Sequence, residues 1–220
     1  LPQIHGPAPV GLLGLLVDLL PGGLELGVVH RGIAAELGTD NPRLWRYPNI
    51  RRTIVAFSGG TGDRETPLGH GDLEASVGYD MGATDIRSYE SRAFDVIDGV
   101  ENGDDRTTTL RLLGDHTLGS RGDLRSSVTY ADIRHDETVD GDFRAFQQKL
   151  FSAAAENIWR LVDDPTGGLS SLRLSFGGAY DRGWTPRTGG LEALPTVHDW
   201  GARVGLSGLV NDGQTMLHVN

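Results

Sequence analysis

The chain has no cysteine, only one lysine and no excess of basic charge. Without cysteine, neither a disulfide framework nor a thiolate metal site can form. The 20 basic residues, against 30 acidic ones, give a formal net charge of −10. Nucleic-acid-binding domains usually carry a basic footprint, so we expect no nucleic-acid partner.

No apolar run is long enough for a membrane-spanning helix, which needs about 20 residues. The most apolar run is Val10 to Leu20, and Asp18 interrupts it. This length suits a tilted membrane strand, and a short buried helix is the alternative. The N-terminal Leu1-Pro2-Gln3-Ile4 lacks the initiating Met and basic region of a signal peptide, so we expect an excised or incomplete mature chain.

Glycine is abundant, with 32 residues dispersed through the chain. The stretch Ser171 to Asp181 shows the pattern in which these glycines occur. Leucines and aromatics lie on one side of an extended chain, and small or charged residues lie on the other, since strand side chains alternate. Leu73 to Met81 alternates just as cleanly. A period of two predicts strands rather than helices.

The same alternation of apolar and polar residues predicts about ten strands. For Leu150 to Val162 a helix is the rival because of its three consecutive alanines. The predicted strands are Val10–Leu20, Leu24–Arg31, Thr53–Ser58, Leu73–Met81, Thr108–Thr117, Leu124–Asp132, Leu150–Val162, Ser171–Asp181, Trp200–Val210 and Gln214–Val219. Asn211-Asp212-Gly213 is a strong hairpin signal between the last two.

The predicted connections alternate between shorter and longer, at about 3, 21, 14, 26, 6, 17, 9, 19 and 3 residues, and loops above about 15 residues are uncommon in compact soluble domains. Short turns at one end and long loops at the other are typical of outer-membrane barrels. We therefore predict an all-β fold, an antiparallel up-and-down transmembrane β-barrel that is partial, with residues 1–220 forming a single barrel segment without a plug domain. The alternative is a soluble secreted β-sandwich binding module, in which Leu172, Leu174 and Phe176 pack against a second sheet.

Several segments resemble the barrel of TonB-dependent outer-membrane receptors. They are Asn41 to Pro48, Gly71 to Tyr79, Thr109 to His116 and Trp200 to Leu206. The resemblance implies a location in the bacterial outer membrane, contact with its lipid, and uptake of a scarce small-molecule ligand such as a siderophore or cobalamin. It also implies TonB and a plug domain as partners. That family has 22 strands, and this chain departs from it in strand number, in lacking a TonB box and in its non-aromatic C-terminus, which predicts an internal piece of such a barrel.

Two sets of residues are candidates for contact with a solute. Aromatic residues in the predicted long loops could bind a ligand or fold the loops onto themselves. They are Trp45, Tyr47, Tyr89, Phe143 and Trp184. Charged residues on the polar strand faces would line a lumen, or the wet face of a soluble sheet. They are Arg111, Arg125, Arg173, Arg203, Glu74, Asp80 and Asp181.

Sequence motifs for catalysis are absent. Asp115-His116 and His135-Asp136 lack a second histidine four residues away, so neither forms the HExxH zinc arrangement. No GxSxG, phosphate-binding loop or dinucleotide-binding GxGxxG occurs in the required context. We expect no enzymatic activity, no metal and no cofactor. An outer-membrane barrel enzyme would need an acid/base cluster at its rim, for which Asp115-His116 is the nearest candidate.

Overall fold

The computed structural model describes residues 13–19, 22–34, 44–164, 168–210 and 215–219. These residues form strands and connections, with no helix among them. The strands are β1 (Leu13–Leu19), β2 (Gly22–Ala34), β3 (Trp45–Gly60), β4 (Arg64–Thr66), β5 (Gly69–Tyr89), β6 (Ile97–Leu118), β7 (Gly122–Val139), β8 (Asp142–Asp163), β9 (Leu169–Thr188), β10 (Val197–Val210) and β11 (Thr215–Val219). No helix in the described ranges is long and apolar enough to cross a membrane.

All eleven strands belong to one antiparallel sheet in which each long strand pairs with its neighbours in the sequence. The order is β1-β2-β3-β5-β6-β7-β8-β9-β10-β11, and β4 is a short addition beside β5. This is the predicted up-and-down topology. The edge strands β1 and β11 do not pair with each other, so the described sheet is open. β8 is a strand, so the helical alternative for Leu150 to Val162 is wrong. The Asn211-Asp212-Gly213 turn lies outside the described residues.

The predicted alternation of short and long connections is wrong. The expected 26-residue connection is strand for most of its length, because β5 continues to Tyr89 and β6 begins at Ile97. The expected 17-residue loop shrinks to Asp140 and Gly141, a two-residue hairpin in which both residues have positive φ, at 50° and 93°. The predicted boundaries were placed where apolar residues end, whereas backbone pairing continues through polar residues.

The two faces of the sheet differ in chemistry. Face assignment follows from the register, since directly paired residues point the same way. We call the face that carries Leu73, Leu112 and Trp200 the convex face, and the face that carries Arg111, Glu156 and Arg203 the concave face. Most exposed large apolar side chains of β3 to β10 lie on the convex face, although Ile54 and Leu150 lie on the concave one.

The described residues have no hydrophobic core. No apolar side chain is buried in the ranges 44–164, 168–210 and 215–219. The accessible surface is 15698 Å², whereas a compact monomer of this mass exposes about 9800 Å². Trp200 is 74% exposed and Leu73 is 49% exposed. Within the part of the chain that the structure describes, the two-sheet packing of the sandwich alternative is absent, because Leu172, Leu174 and Phe176 lie on the convex face of a single sheet.

Candidate functional site

The concave face gathers the charged residues that the sequence singled out. One register row runs from Ser76 through Arg111, Thr129 and Ser152 to Asp181, across strands β5 to β9. Counting in steps of two along each strand from this row assigns the whole set to the same face. The set is Arg111, Arg125, Arg173, Arg203, Glu74, Asp80 and Asp181.

This face encloses a trough of about 1010 Å³ that spans strands β5 to β10. Its floor is made of small residues, with Ala154, Gly177, Ala179 and Gly201 among those that line it. Small side chains on paired strands leave space above the backbone, so the trough exists because bulky residues are missing from this part of the concave face.

The trough is crossed by an ion pair between two strands that are not neighbours. Glu156 on β8 and Arg203 on β10 are both in register with Gly177, which lies between them on β9. Arg203 Nη2 contacts Glu156 Oε1 directly over this glycine. A Cβ atom at Gly177 would lie 2.8 Å from the carbonyl oxygen of Ala155. The absence of a side chain therefore permits both close strand packing and the ion pair.

Other concave charges pair between adjacent strands. Arg125 Nε lies 3.3 Å from Asp115 Oδ1, and Arg52 contacts Asp80. Near the turns that join β6 to β7 and β8 to β9, Arg160 Nη2 lies 2.6 Å from Asp123 Oδ2. The predicted polar-face set does not include Arg52, Glu156 and Arg160, although alternation along Leu150 to Val162 places Glu156 and Arg160 on the polar side of that strand.

Four of the predicted polar-face residues remain outside these pairs. Among the described residues, no ion pair joins the remaining members of the set, which are Arg111, Arg173, Glu74 and Asp181. Each lies on the concave face outside the lining of the trough and is available to water there.

A second polar cluster lies on the concave face towards the far rim, where β5 ends and β6 begins. His135 Nδ1 lies 2.8 Å from Asp105 Oδ1, and its Nε2 lies 3.4 Å from Glu137 Oε2. Arg144 lies 3.8 Å from Glu137, and the Phe146 ring packs beside the imidazole, with centroids 5.8 Å apart. Burial lowers the pKa of His135, but the hydrogen bonds and charges of the two carboxylates outweigh it, so the pKa is raised. The cluster therefore favours the protonated form of an imidazole that lies between two acids.

The five aromatic candidates are not in loops, which corrects the prediction. Trp45 and Tyr47 open β3, Tyr89 closes β5, Phe143 lies at the start of β8, and Trp184 lies in β9. The antiparallel topology brings all five to the same rim of the sheet, because these strand ends lie together.

The contacts of these aromatics differ. Tyr89 packs edge to face on Phe94 at 5.2 Å, and Arg46 lies 4.0 Å from the Phe94 centroid. Trp184 packs on Tyr130 on the convex face. Phe143 is 67% exposed at the rim. Tyr89 and Trp184 therefore have packing partners, while Phe143 presents most of its surface to a ligand or to solvent.

The convex face carries an apolar band bordered by aromatic rings. Towards the far rim, the border contains Phe151 against Tyr180 at 6.2 Å, and Tyr180 against Trp200 at 4.4 Å. Towards the turns, Trp159 meets Phe176 edge to face at 5.3 Å. Between these borders the convex side chains are leucine, valine, alanine, glycine and a few small polar residues.

The border of this band towards the far rim is staggered relative to the register of the strands. Tyr79 on β5 is in register with Lys149 on β8, two residues beyond the aromatic Phe151. Phe151 in turn pairs with Arg182, two residues beyond Tyr180, the aromatic of β9. The border thus shifts by four residues between β5 and β10, which is about 13 Å along the strands over about 24 Å of sheet width. Taken alone, this far-rim border corresponds to strands tilted by about 30° to the normal of the band, whereas the aromatic pair towards the turns shifts the opposite way, since Phe176 on β9 is in register with Asn157 rather than with Trp159.

The residues considered for catalysis are kept apart. Asp115 and His116 are consecutive in a strand and point to opposite faces. Asp115 pairs with Arg125, while His116 Nε2 lies 2.8 Å from Thr66 Oγ1. His135 pairs with Asp105 and Glu137 rather than with Asp136. Within the described ranges, no group of three histidine, cysteine or acidic residues could hold a metal ion.

Neither a family model, nor a curated protein, nor a solved structure matches this chain.

Proposed function

We propose that the chain forms part of the wall of a transmembrane β-barrel in the bacterial outer membrane. The convex face contacts lipid and the concave face lines a wet lumen. Large apolar side chains exposed on one face of a single-layered sheet support this proposal, because water would penalise the arrangement and hydrocarbon would favour it.

The staggered aromatic border is the observation that carries the proposal. Strands of outer-membrane barrels are tilted by about 35–45°, and aromatic girdles flank their apolar band. The far-rim border taken alone gives a tilt of about 30°, which is close to this range. A soluble sheet has no membrane plane to which its aromatic residues must align, so it would not require the stagger.

The proposed role is the transport of a scarce solute by a TonB-dependent receptor. The resemblance of strand segments such as Gly71 to Tyr79 and Trp200 to Leu206 supports this class, and the trough with its charged walls supports passage of a polar solute. In such a receptor, TonB and a plug domain would be the partners and a siderophore or cobalamin the kind of ligand. This chain would supply wall and rim, with Phe143 the most exposed of the five rim aromatics.

Detergent dependence tests the membrane proposal. The complete chain should be insoluble when detergent is withheld, and after refolding in detergent it should migrate differently in gels before and after boiling. Transfer into vesicles made with brominated lipid should quench the fluorescence of Trp159 and Trp200, whose side chains are 46% and 74% exposed on the convex face.

Matched tryptophan variants give this experiment its control. A chain in which Phe replaces Trp159 and Trp200 keeps Trp45 and Trp184, and should be quenched less than a chain in which Phe replaces Trp45 and Trp184. A freely soluble monomer, or equal quenching of the two variants, would contradict the proposal.

A further inference from the structure

A basic patch lies on the convex face immediately beyond the apolar band. We define it as Arg106 on β6, Arg134 on β7, Lys149 on β8 and Arg182 on β9. These residues share the convex face because Arg106 is in register with Arg134, Lys149 with Asp132, and Arg182 with Phe151. Lys149 is the only lysine of the chain, and the patch stands out in a protein of net charge −10.

The patch contains two arginines placed directly opposite each other. Arg106 and Arg134 are register partners on neighbouring strands, a position in which like charges repel. Asp132 offsets part of this charge, since Arg134 Nη2 lies 3.1 Å and Lys149 Nζ 3.9 Å from its Oδ2. Gln147 also donates to Asp132, at 2.8 Å. One carboxylate is thus shared by two cations. On the same face Asp104 and Asp136, register partners of each other, lie two residues from Arg106 and Arg134 on the rim side, so the four basic side chains face three acidic ones and keep an excess of one positive charge.

The place of the patch on the convex face indicates what neutralises it. Arg182 is in register with Phe151 and follows Tyr180 by two residues on the same face, so the charges adjoin the aromatic border directly. In the proposed barrel this is the level of the lipid headgroups, where hydrocarbon ends. Arginine binds phosphate through paired N–H donors, and two opposed arginines can share one phosphate between them.

We propose that the basic patch binds the phosphate groups of membrane lipids, with Arg106 and Arg134 holding a phosphate between β6 and β7. This inference rests on the proposed membrane location. The site would favour lipids with a phosphate monoester, whose two negative charges offset both arginines. It would fix the height and rotation of the sheet in the membrane.

The test uses the complete chain in dodecyl maltoside micelles and measures retained lipid by native mass spectrometry. The probe is dioleoyl phosphatidic acid, and dioleoylglycerol serves as the same lipid without phosphate. We expect clear retention of the phosphatidic acid only. Arg106→Gln combined with Arg134→Gln should weaken binding about tenfold or more, since each basic residue at a membrane surface contributes appreciably to attraction of anionic lipid. Replacing both arginines with lysine should restore most of it.

The concave face supplies a closely matched control. Arg111→Gln with Arg125→Gln removes the same charge from the same two strands, and in each pair one arginine has a carboxylate partner and the other has none among the described residues. This variant should retain phosphatidic acid like the unaltered chain. Heat-modifiable migration, unchanged in all variants, checks the fold.

Three results would overturn the inference: equal retention of the two lipids, equal losses in the two glutamine variants, or displacement of the lipid by millimolar inorganic phosphate. These failures are distinguishable from failure of the membrane proposal, which would appear as a chain that stays soluble without detergent.

Discussion

Gly177 is the residue on which the architecture of the trough depends. It lies under the Glu156–Arg203 ion pair, and a Cβ atom there would approach the Ala155 carbonyl oxygen to 2.8 Å. We expect Gly177→Val to destabilise the fold by about 1–3 kcal/mol through overpacking, measured by urea unfolding in vesicles. The adjacent Gly178→Val is the control, because its nearest neighbour outside the adjoining residues is Gly201 O at 3.5 Å. An equal loss of unfolding free energy in both variants would contradict a packing role specific to Gly177.

His135 makes stability depend on pH. Asp105 on β6 and Glu137 on β7 contact the imidazole, Phe146 of β8 packs beside it, and Arg144 of β8 pairs with Glu137. The raised pKa means that protonated His135 stabilises the fold fully below about pH 6.5, its ordinary pKa, and that this contribution is lost as pH rises through the raised value.

We expect the free energy of unfolding to fall between pH 6 and pH 9 by up to about 1 kcal/mol more in the unaltered chain than in His135→Gln. The effect is small because the side chain is 39% exposed and water screens its charges. Unfolding curves at the two pH values measure it. Identical pH dependence in the two proteins would contradict this role for His135.

Strand β8 offers a direct comparison of the two faces. Ala155 lies midway between Phe151 and Trp159 on the convex face, and Ala154 lies on the trough floor beside it in sequence. In a membrane wall, Ala155→Arg should cost about 2–4 kcal/mol, because the charge enters the middle of the bilayer. Ala154→Arg should cost under about 1 kcal/mol, because its guanidinium stays in water near Glu156. Unfolding in lipid vesicles measures both, and a larger cost at Ala154 would reverse the assignment of faces.

The strands also show which features of the fold and of the concave face could be predicted from the sequence. Alternation located the apolar middle of nearly every strand, because a half-apolar strand has an unmistakable period of two. It failed at the far rim, where both faces are polar: Asp132, Arg134 and Asp136 follow on the convex face, and Ile133, His135 and Glu137 on the concave one. Cross-strand pairs such as His135–Asp105 stabilise these extensions, and such pairs join residues far apart in sequence. The set of concave charges could be predicted, whereas the Glu156–Arg203 pair across Gly177 could not.

At the scale of the whole molecule, the membrane proposal requires backbone pairing beyond that seen in the described open sheet. β11 pairs only with Leu206 to Val210 of β10, so within the described residues Val197 to Gly205 have no partner strand on that side. Unpaired backbone groups are not tolerated in hydrocarbon. Further strands, from the same polypeptide or from another copy, must therefore cover this edge when the sheet lies in a membrane.

In the proposed membrane location, the height of the apolar band would set the membrane thickness that the protein fits. Phe151 and Trp159 border the band on β8, and eight residues separate them, which is about 26 Å along the strand. With a tilt of about 30° this spans about 23 Å, close to the band of about 25 Å in outer-membrane barrels and thinner than an average bilayer core of about 30 Å. Folding yield in vesicles of phosphatidylcholines with 12, 14 and 18 carbon chains should therefore be highest in the shorter two. The Ala154→Arg variant, altered only on the concave face, should keep this preference, because the mismatch acts on the convex face alone. A maximum in the 18-carbon lipid, or the same yield in all three, would mean that the aromatic border does not mark the edge of the hydrocarbon.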